Sequence, residues 1–309
     1  MATKKAASTK KTTANKPAAK PAKTTVRTLS ASAKPTAKVD KTEVKTVARP
    51  VAAERKSQAL PGNIVNIVFA ELFGTFGLVL VALFAAKETG ALYVGLFLAV
   101  MVMAVGAVSG SHLNPAVTLA KWTMRQLKSV LLPFYWGAQF LGAMLAVIVI
   151  NWTTNNSLHL DFSNLGSMNW AIFAVELIGA AIFMFGLAAA TNRRTLSTSG
   201  VAIGAGLSLT VGLVVATSLL ANVQGTVDTS QITSIDKVPH ELRVKGATLN
   251  PAVALAATEQ SDSGFTGTRA DENEKQISRL SLEVLLGSLI GAVVGGNLYL
   301  MIAGSRRDQ

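Results

Sequence analysis

The chain has 309 residues, of which 50% are hydrophobic and none is cysteine, and its mean hydropathy is +0.41. This composition excludes an ordinary soluble domain and is typical of several membrane spans, while the absence of cysteine excludes disulfides, thiolate metal sites and cysteine nucleophiles. The net charge of +12 lies in residues 1–56, which hold 15 Lys and Arg against three acids, whereas the remainder holds 14 of each sign.

The first 60 residues are rich in Lys, Ala, Thr and Pro and contain few large apolar side chains. Such a segment cannot bury a core, so it predicts a disordered basic tail. Its charge would attract anionic lipid headgroups or nucleic-acid phosphates, and the lack of interleaved aromatic residues favours lipid. Residues 61–309 form the predicted membrane domain.

Six apolar runs follow the tail, and each has about the 20 residues that a helix needs to cross a bilayer. We expect spans at 64–86, 91–109, 130–151, 170–190, 200–221 and 280–303. Lys and Arg concentrate in the tail, near 121–128, at 193–194 and at 306–307, which places these segments on one side. The positive-inside rule then predicts that both termini are cytoplasmic, and we expect the plasma (inner) membrane.

Two further apolar segments, 114–122 and 250–257, are only about half a span long. Both begin in the string LNPAV, at 113–117 and at 249–253, and AELFGTF at 70–76 also matches VELIGAA at 175–181. The chain therefore contains two repeats, over 64–152 and 170–303. Because each repeat has three spans, the second must enter the membrane inverted relative to the first.

In each copy, Asn is a good helix N-cap and Pro fits the first helical position. Two half-helices would thus meet near the midplane by their N-termini, each Asn oxygen capping its helix and leaving the amide NH2 as a donor to the lumen. The converging helix dipoles would oppose cations, which favours a channel for neutral solutes. The predicted pore motifs are Asn114, Pro115, Ala116, Asn250, Pro251 and Ala252.

These residues, with AELFGTFGLVL, VSGSHLNPAVTLA, YWGAQFLGA, VELIGA and GATLNPAV, resemble the major intrinsic protein family, the aquaporins and glycerol facilitators, over about residues 64–303. The resemblance implies an all-α membrane fold of six tilted helices and two re-entrant half-helices around one pore per subunit, usually in a homotetramer. It implies passive conduction of water or small neutral solutes, with no cofactor, metal or catalytic residue.

Glu71 and Glu176 occupy equivalent places within spans, where a carboxylate usually marks function. The resemblance implies instead that they brace the re-entrant loops through buried hydrogen bonds. His112 is a conceivable pH switch, but a lone His in a tight loop more often bonds to the backbone, so we expect it to brace the loop too.

The sequence departs from the family at the outer constriction, where most members place Arg after the second NPA. Here that position is Val253, and local similarity assigns Val94, Leu213 and Ala247 to the rest of the ring. Such an apolar ring, if wide, would admit glycerol, urea or ammonia, and if narrow it would dewet and close. A glycerol facilitator usually has Asp next, but this chain has Ala254.

Other functions remain open at this stage. Inverted repeats with broken helices also form secondary transporters. The sequence reading identifies intramembrane charges only at Glu71 and Glu176, however, and these leave no evident coupling-ion site. A membrane-tethered protein that binds lipid or nucleic acid through its tail is a further alternative. An enzyme is disfavoured because the motifs supply no nucleophile, base and orienting partner. Residues 222–245 are interpreted as a surface insertion, and the alternatives are a lid over the vestibule or a contact with neighbouring subunits.

Overall fold

The computed structural model describes residues 60–85, 90–154, 160–268 and 276–304. The predicted disordered tail, apart from its last residue, and the basic pair at 306–307 lie outside the described residues.

Within the described ranges, six helices are long and apolar enough to cross a membrane. They confirm the six predicted spans, with ends that differ by a few residues, and make this an integral multi-pass membrane protein. Their bounds are α1 Ile64–Phe84, α2 Gly90–Ser109, α4 Leu132–Thr154, α5 Trp170–Asn192, α6 Thr198–Gly225 and α10 Leu282–Ala303.

Two short helices begin at the repeated motif, α3 at Pro115–Thr123 and α8 at Pro251–Ala256. The side chain of Asn114 caps α3 by accepting from the backbone N–H of Ala116, and Asn250 caps α8 by accepting from Ala252. Both helices have Pro at their start, where its missing N–H costs no hydrogen bond. Neither helix is long enough to span a bilayer.

The connections near the end of α8 hold more structure than the loops that the sequence predicts. A parallel pair joins β1 (Leu160–Asp161) to β2 (Gln276–Ile277), with Leu160 opposite Gln276. Short helices α7 (His240–Arg243) and α9 (Asp262–Thr266) lie on either side of α8 in sequence. Single 3-10 turns occupy Ser129–Leu131, Ser163–Gly166, Thr229–Gln231 and Ile235–Lys237. We call this end the α8 face and the opposite end, where α3 finishes, the α3 face.

The two repeats pack in the same way. Helix α1 lies against α4 and α5 lies against α10, while α2 against α6 joins the halves. A Cβ atom at Gly142 would collide with the carbonyl oxygen of Leu72, and one at Gly291 with that of Leu177. Small residues allow such close approach of helices in lipid. These equivalent contacts follow directly after Glu71 and Glu176 in the two repeats.

Candidate functional site

The two half-helices meet by their N-termini through a reciprocal pair of hydrogen bonds. Asn114 Nδ2 donates to the carbonyl oxygen of Leu249 at 2.9 Å, and Asn250 Nδ2 donates to that of Leu113, also at 2.9 Å. The sequence left both amide hydrogens of each Asn free for the lumen. The structure corrects this, since one hydrogen of each NH2 group is committed and one remains.

The leucine before each Asn adopts a left-handed backbone conformation, with φ of 50° at Leu113 and 52° at Leu249. This region is costly for a residue with a branched side chain and persists where the surroundings enforce it. Both leucine side chains are fully buried. The turn lets each carbonyl oxygen accept the bond from the opposite Asn, so the local strain serves the junction.

Glu71 lies beneath the first turn and is fully buried. Its carboxylate accepts from the backbone N–H groups of His112 at 2.9 Å and Leu113 at 2.8 Å. Ser109 Oγ donates to it at 2.6 Å and Gln139 Nε2 at 2.8 Å. Four donors from three segments therefore converge on this carboxylate, which is how a buried charge is satisfied without a cation.

Glu176 has the equivalent place under the second turn and is also fully buried. It accepts from the backbone N–H groups of Thr248 at 3.0 Å and Leu249 at 2.7 Å, and from Thr248 Oγ1 at 3.2 Å. The charge of Arg279 acts on it as well. The second carboxylate thus has fewer donors than the first and a cation nearby.

His112 connects the first turn to two helices. Its Nδ1 lies 3.2 Å from Thr118 Oγ1 in α3, and its ring centroid lies 4.7 Å from that of Tyr135 in α4. The tyrosine hydroxyl donates to the carbonyl oxygen of Ser109 at 2.6 Å. The imidazole is therefore fixed between α3 and α4 while its backbone bonds to Glu71.

A narrow cavity lies at the junction of the half-helices. Its volume is about 10 Å³, close to the least that holds one water molecule. Its wall carries four polar side chains, two of them the Asn amides, and no charged side chain among the described residues. The lining residues are Leu78, Val94, Leu98, His112, Asn114, Phe183, Leu209, Thr248, Asn250 and Val253.

Of the four residues assigned to the constriction, Val94 and Val253 line this cavity. Leu213 is buried one helical turn beyond Leu209 in α6, and Ala247 packs beside the same apolar cluster. Neither contributes to the cavity wall, so a ring of these four residues stays a prediction. The two that do line the wall are both valines, with no side-chain donor.

Sequence reasoning missed several wall residues that the repeat could have found. Leu78 follows Glu71 by seven positions and Phe183 follows Glu176 by seven, and both line the cavity. Thr248 stands two residues before its Asn, as His112 does in the first repeat. Aligning the halves residue by residue, and not only by motif, would have identified all three.

The expectation that Glu71 and Glu176 account for the intramembrane charges is wrong. Glu283, in the first turn of α10, is 0% exposed, and Lys121, Glu259 and Arg279 are also buried. The error arises because Glu283 lies at the edge of an apolar run whose mean hydropathy hides it. None of these four side chains lines the cavity.

Three of these charges form a cluster with His240 on the α8 face. His240 Nε2 lies 2.9 Å from Glu283 Oε1, its Nδ1 lies 3.5 Å from Glu259 Oε2, and Arg279 Nη1 lies 3.5 Å from Glu283 Oε1. Hydrogen bonds with Glu259 and Glu283 raise the pKa of His240 to about 9. Segment 222–245 is thereby tied to α10 through α7.

Comparison with known proteins agrees with this geometry. The model of the family described as "Major intrinsic protein" matches residues 86–227. A maize protein named "Aquaporin NIP2-1" is 33% identical over 163 residues, 48% of this chain and 55% of its own length. "Aquaporin Z" of Photorhabdus laumondii is 34% identical over 151 residues, 40% of this chain and 65% of its own. The chain thus spans about half the length of the plant relatives it matches.

Among solved structures, the "X-ray structure of the aquaglyceroporin from Plasmodium falciparum" aligns with a TM-score of 0.47 and 17% identity, over 79% of this chain and 96% of that one. The family match covers the segment that holds the first half-helix and four of the six spans. Two half-helices joined at their capping asparagines lie inside six membrane helices, and together with the match over residues 86–227 they support the major intrinsic protein family for this chain.

Proposed function

We propose that this protein is a passive transmembrane channel for water and small neutral solutes, such as glycerol, urea or ammonia. The observation that carries the proposal is the narrow cavity lined by Asn114 and Asn250, each of which keeps one amide hydrogen without a partner among the described residues. Two fixed donors on an otherwise mostly apolar wall can orient a passing hydroxyl or water without binding it tightly.

The charge distribution favours a channel over a secondary transporter. The cavity wall is free of charged side chains in the part of the chain that the structure describes, whereas coupling to an ion gradient needs an ion site that the substrate pathway shares. The buried charges lie behind the wall and bond to protein groups. This arrangement suits downhill passage of neutral molecules, and the channels of this family are not enzymes.

The outer constriction is the least typical part of the proposal. We infer that Val94 and Val253 form its apolar wall, together with Leu213 and Ala247 as the sequence suggests. Without a guanidinium there, small neutral solutes would be selected by width more than by hydrogen bonding. We also propose a homotetramer with cytoplasmic termini, and contact of the basic tail with anionic lipid or, as the alternative, nucleic acid.

The proposal is tested by stopped-flow light scattering of the full-length protein in liposomes. Osmotic shrinkage in sucrose reports water flux, and re-swelling reports entry of glycerol and urea. We compare the parent with Val253→Arg, which places a long donor in the cavity, and with Val253→Ala, which widens the same wall without a donor. Glycerol entry should rank Ala above Val above Arg.

Two outcomes would contradict the proposal or one part of it. If parent and Val253→Ala, both folded by size-exclusion chromatography and circular dichroism, pass neither water nor solute faster than empty liposomes, the protein is not a channel. If water passes but solute entry ignores residue 253, the channel stands and Val253 is not part of its constriction.

A further inference from the structure

Lys121 is a buried cation at the α3 face with no ion pair. It lies in the last turn of α3, its residue is 9% exposed, and its Nζ donates to Gln126 Oε1 at 3.0 Å and Thr191 Oγ1 at 2.8 Å. Within the described ranges, no carboxylate forms a salt bridge with it. Both acceptors are neutral, so its positive charge is not cancelled locally.

An uncancelled buried charge is expensive, and this one occupies a position where Leu or Met would pack. The two acceptors and the negative end of the α3 dipole offset part of the cost. A cation that only stabilised the negative end of the α3 dipole could remain exposed to water, as Lys and Arg side chains near helix ends do. Its burial between α3 and α5 therefore calls for a second reason.

The position of Lys121 relative to the cavity supplies a second reason for its burial. Thr118, one helical turn earlier in α3, contacts the wall residue His112, and the charge of Lys121 acts at the His112 ring. Thr191, which holds the ammonium, lies two turns beyond the wall residue Phe183 in α5. Lys121 thus stands between two elements that border the pathway, on its α3 side.

At the other end of the pathway, the buried cation Arg279 lies beside a carboxylate. Val253 occupies the position where most family members carry Arg, and the described wall of the cavity is uncharged. Arg279 on the α8 face lies beside Glu283 and acts on Glu176, so carboxylates cancel its field. Of these two buried cations, Lys121 is therefore the one without a carboxylate beside it among the described residues.

We infer that Lys121 is a specificity-determining residue, whose fixed positive charge opposes the passage of cations while leaving neutral molecules unhindered. The inference rests on the proposed channel function. It places part of the electrostatic barrier at the C-terminal end of α3, because the apolar side chain of Val253 supplies no charge. A neutral solute has no net charge for the ammonium to repel, so its flux is indifferent to the substitution.

The test measures cation leak and water flux in the same liposomes containing the full-length protein. Potassium leak is driven by a gradient with valinomycin omitted, proton leak is followed by an internal pH dye, and water flux by light scattering. Lys121→Met and Lys121→Gln should raise cation leak roughly tenfold, the change that about 1.4 kcal/mol of barrier makes, with water flux unchanged. Lys121→Arg should restore the low leak.

Lys128→Gln is the matched control, because it removes an exposed cation from the same face and should change neither reading. If a folded Met or Gln variant leaks no more cation than the parent at equal water flux, the assignment is overturned. Using two neutral variants guards against one that fails to fold. Absence of water flux in the parent would instead refute the channel, which separates the two failures.

Discussion

The two halves of the molecule form the same junction with different chemistry. In the first half, Glu71 is satisfied by neutral donors from Ser109, Gln139 and two backbone N–H groups. In the second half, the residue equivalent to Gln139 is Ser288, which donates to the carbonyl oxygen of Leu285 instead. Glu176 lies near the Arg279 cation there.

The difference extends to both faces. The α3 face holds the unpaired Lys121, and the α8 face holds a cation and carboxylate cluster of His240, Glu259, Arg279 and Glu283. A shared backbone geometry therefore tolerates two different electrostatic environments around its buried carboxylates. What the inverted repeat preserves is the pair of carboxylates that hold the turns, and what it leaves free is how each carboxylate is neutralised.

The largest effect should come from breaking the feature that both halves share. In Glu71→Gln and Glu176→Gln, an amide keeps one acceptor oxygen and turns an NH2 group toward backbone N–H donors. At least one protein donor and the new NH2 group then lack an acceptor, at about 1–3 kcal/mol each, so we expect a destabilisation of about 2–6 kcal/mol in either half. Thermal unfolding in detergent and liposome water flux measure this.

Glu241→Gln is the control, since that carboxylate accepts from Asn169 on the α8 face and is only partly buried. It should unfold within a few degrees of the parent. Parent-like unfolding and flux in both Glu71→Gln and Glu176→Gln would show that the turns do not depend on these carboxylates.

A smaller effect should distinguish the two cations. Arg279→Met leaves Glu283 with His240 and removes the cation near Glu176, so we expect a loss of about 3 kcal/mol, as for a broken buried ion pair. Lys121→Met removes a charge with no carboxylate partner and should leave stability unchanged or higher. Thermal unfolding of both variants in one detergent compares them directly.

The proposed difference between the two faces is contradicted if Arg279→Met is as stable as the parent, or if Lys121→Met loses as much stability as Arg279→Met.

The smallest effect concerns pH and the α8 face alone. Because the pKa of His240 rises from 6.5 to about 9 in the folded protein, its protonation stabilises the fold fully below about pH 6.5. That contribution falls as pH rises and is lost above about pH 9. Unfolding temperature should decline by a few degrees across this window, and the decline should be absent in His240→Gln.

The groups that face His240 are Glu259, Glu283 and, through Glu283, Arg279. A decline of equal size in His240→Gln would assign the pH dependence to another group.

Much of the fold was predictable because its signals are local. Each span shows in about 20 apolar residues, and the half-helices show in an Asn-Pro pair that caps a helix within its own turn. Glu283 was overlooked because averaging over an apolar run conceals one charge. The turns around α7, α9 and the short strands were missed because their stability comes from partners distant in sequence.

By itself, the sequence determined six spans, two capped half-helices and an inverted repeat, since hydropathy, capping and internal similarity are properties of contiguous residues. Only the tertiary structure decided that Asn114 bonds to Leu249 and Asn250 to Leu113, across more than a hundred residues. It also decided which side chains form the cavity wall and that His240 meets Glu259 and Glu283. Those choices depend on how helices pack, because burial forces each polar group to find a partner wherever the fold brings one near.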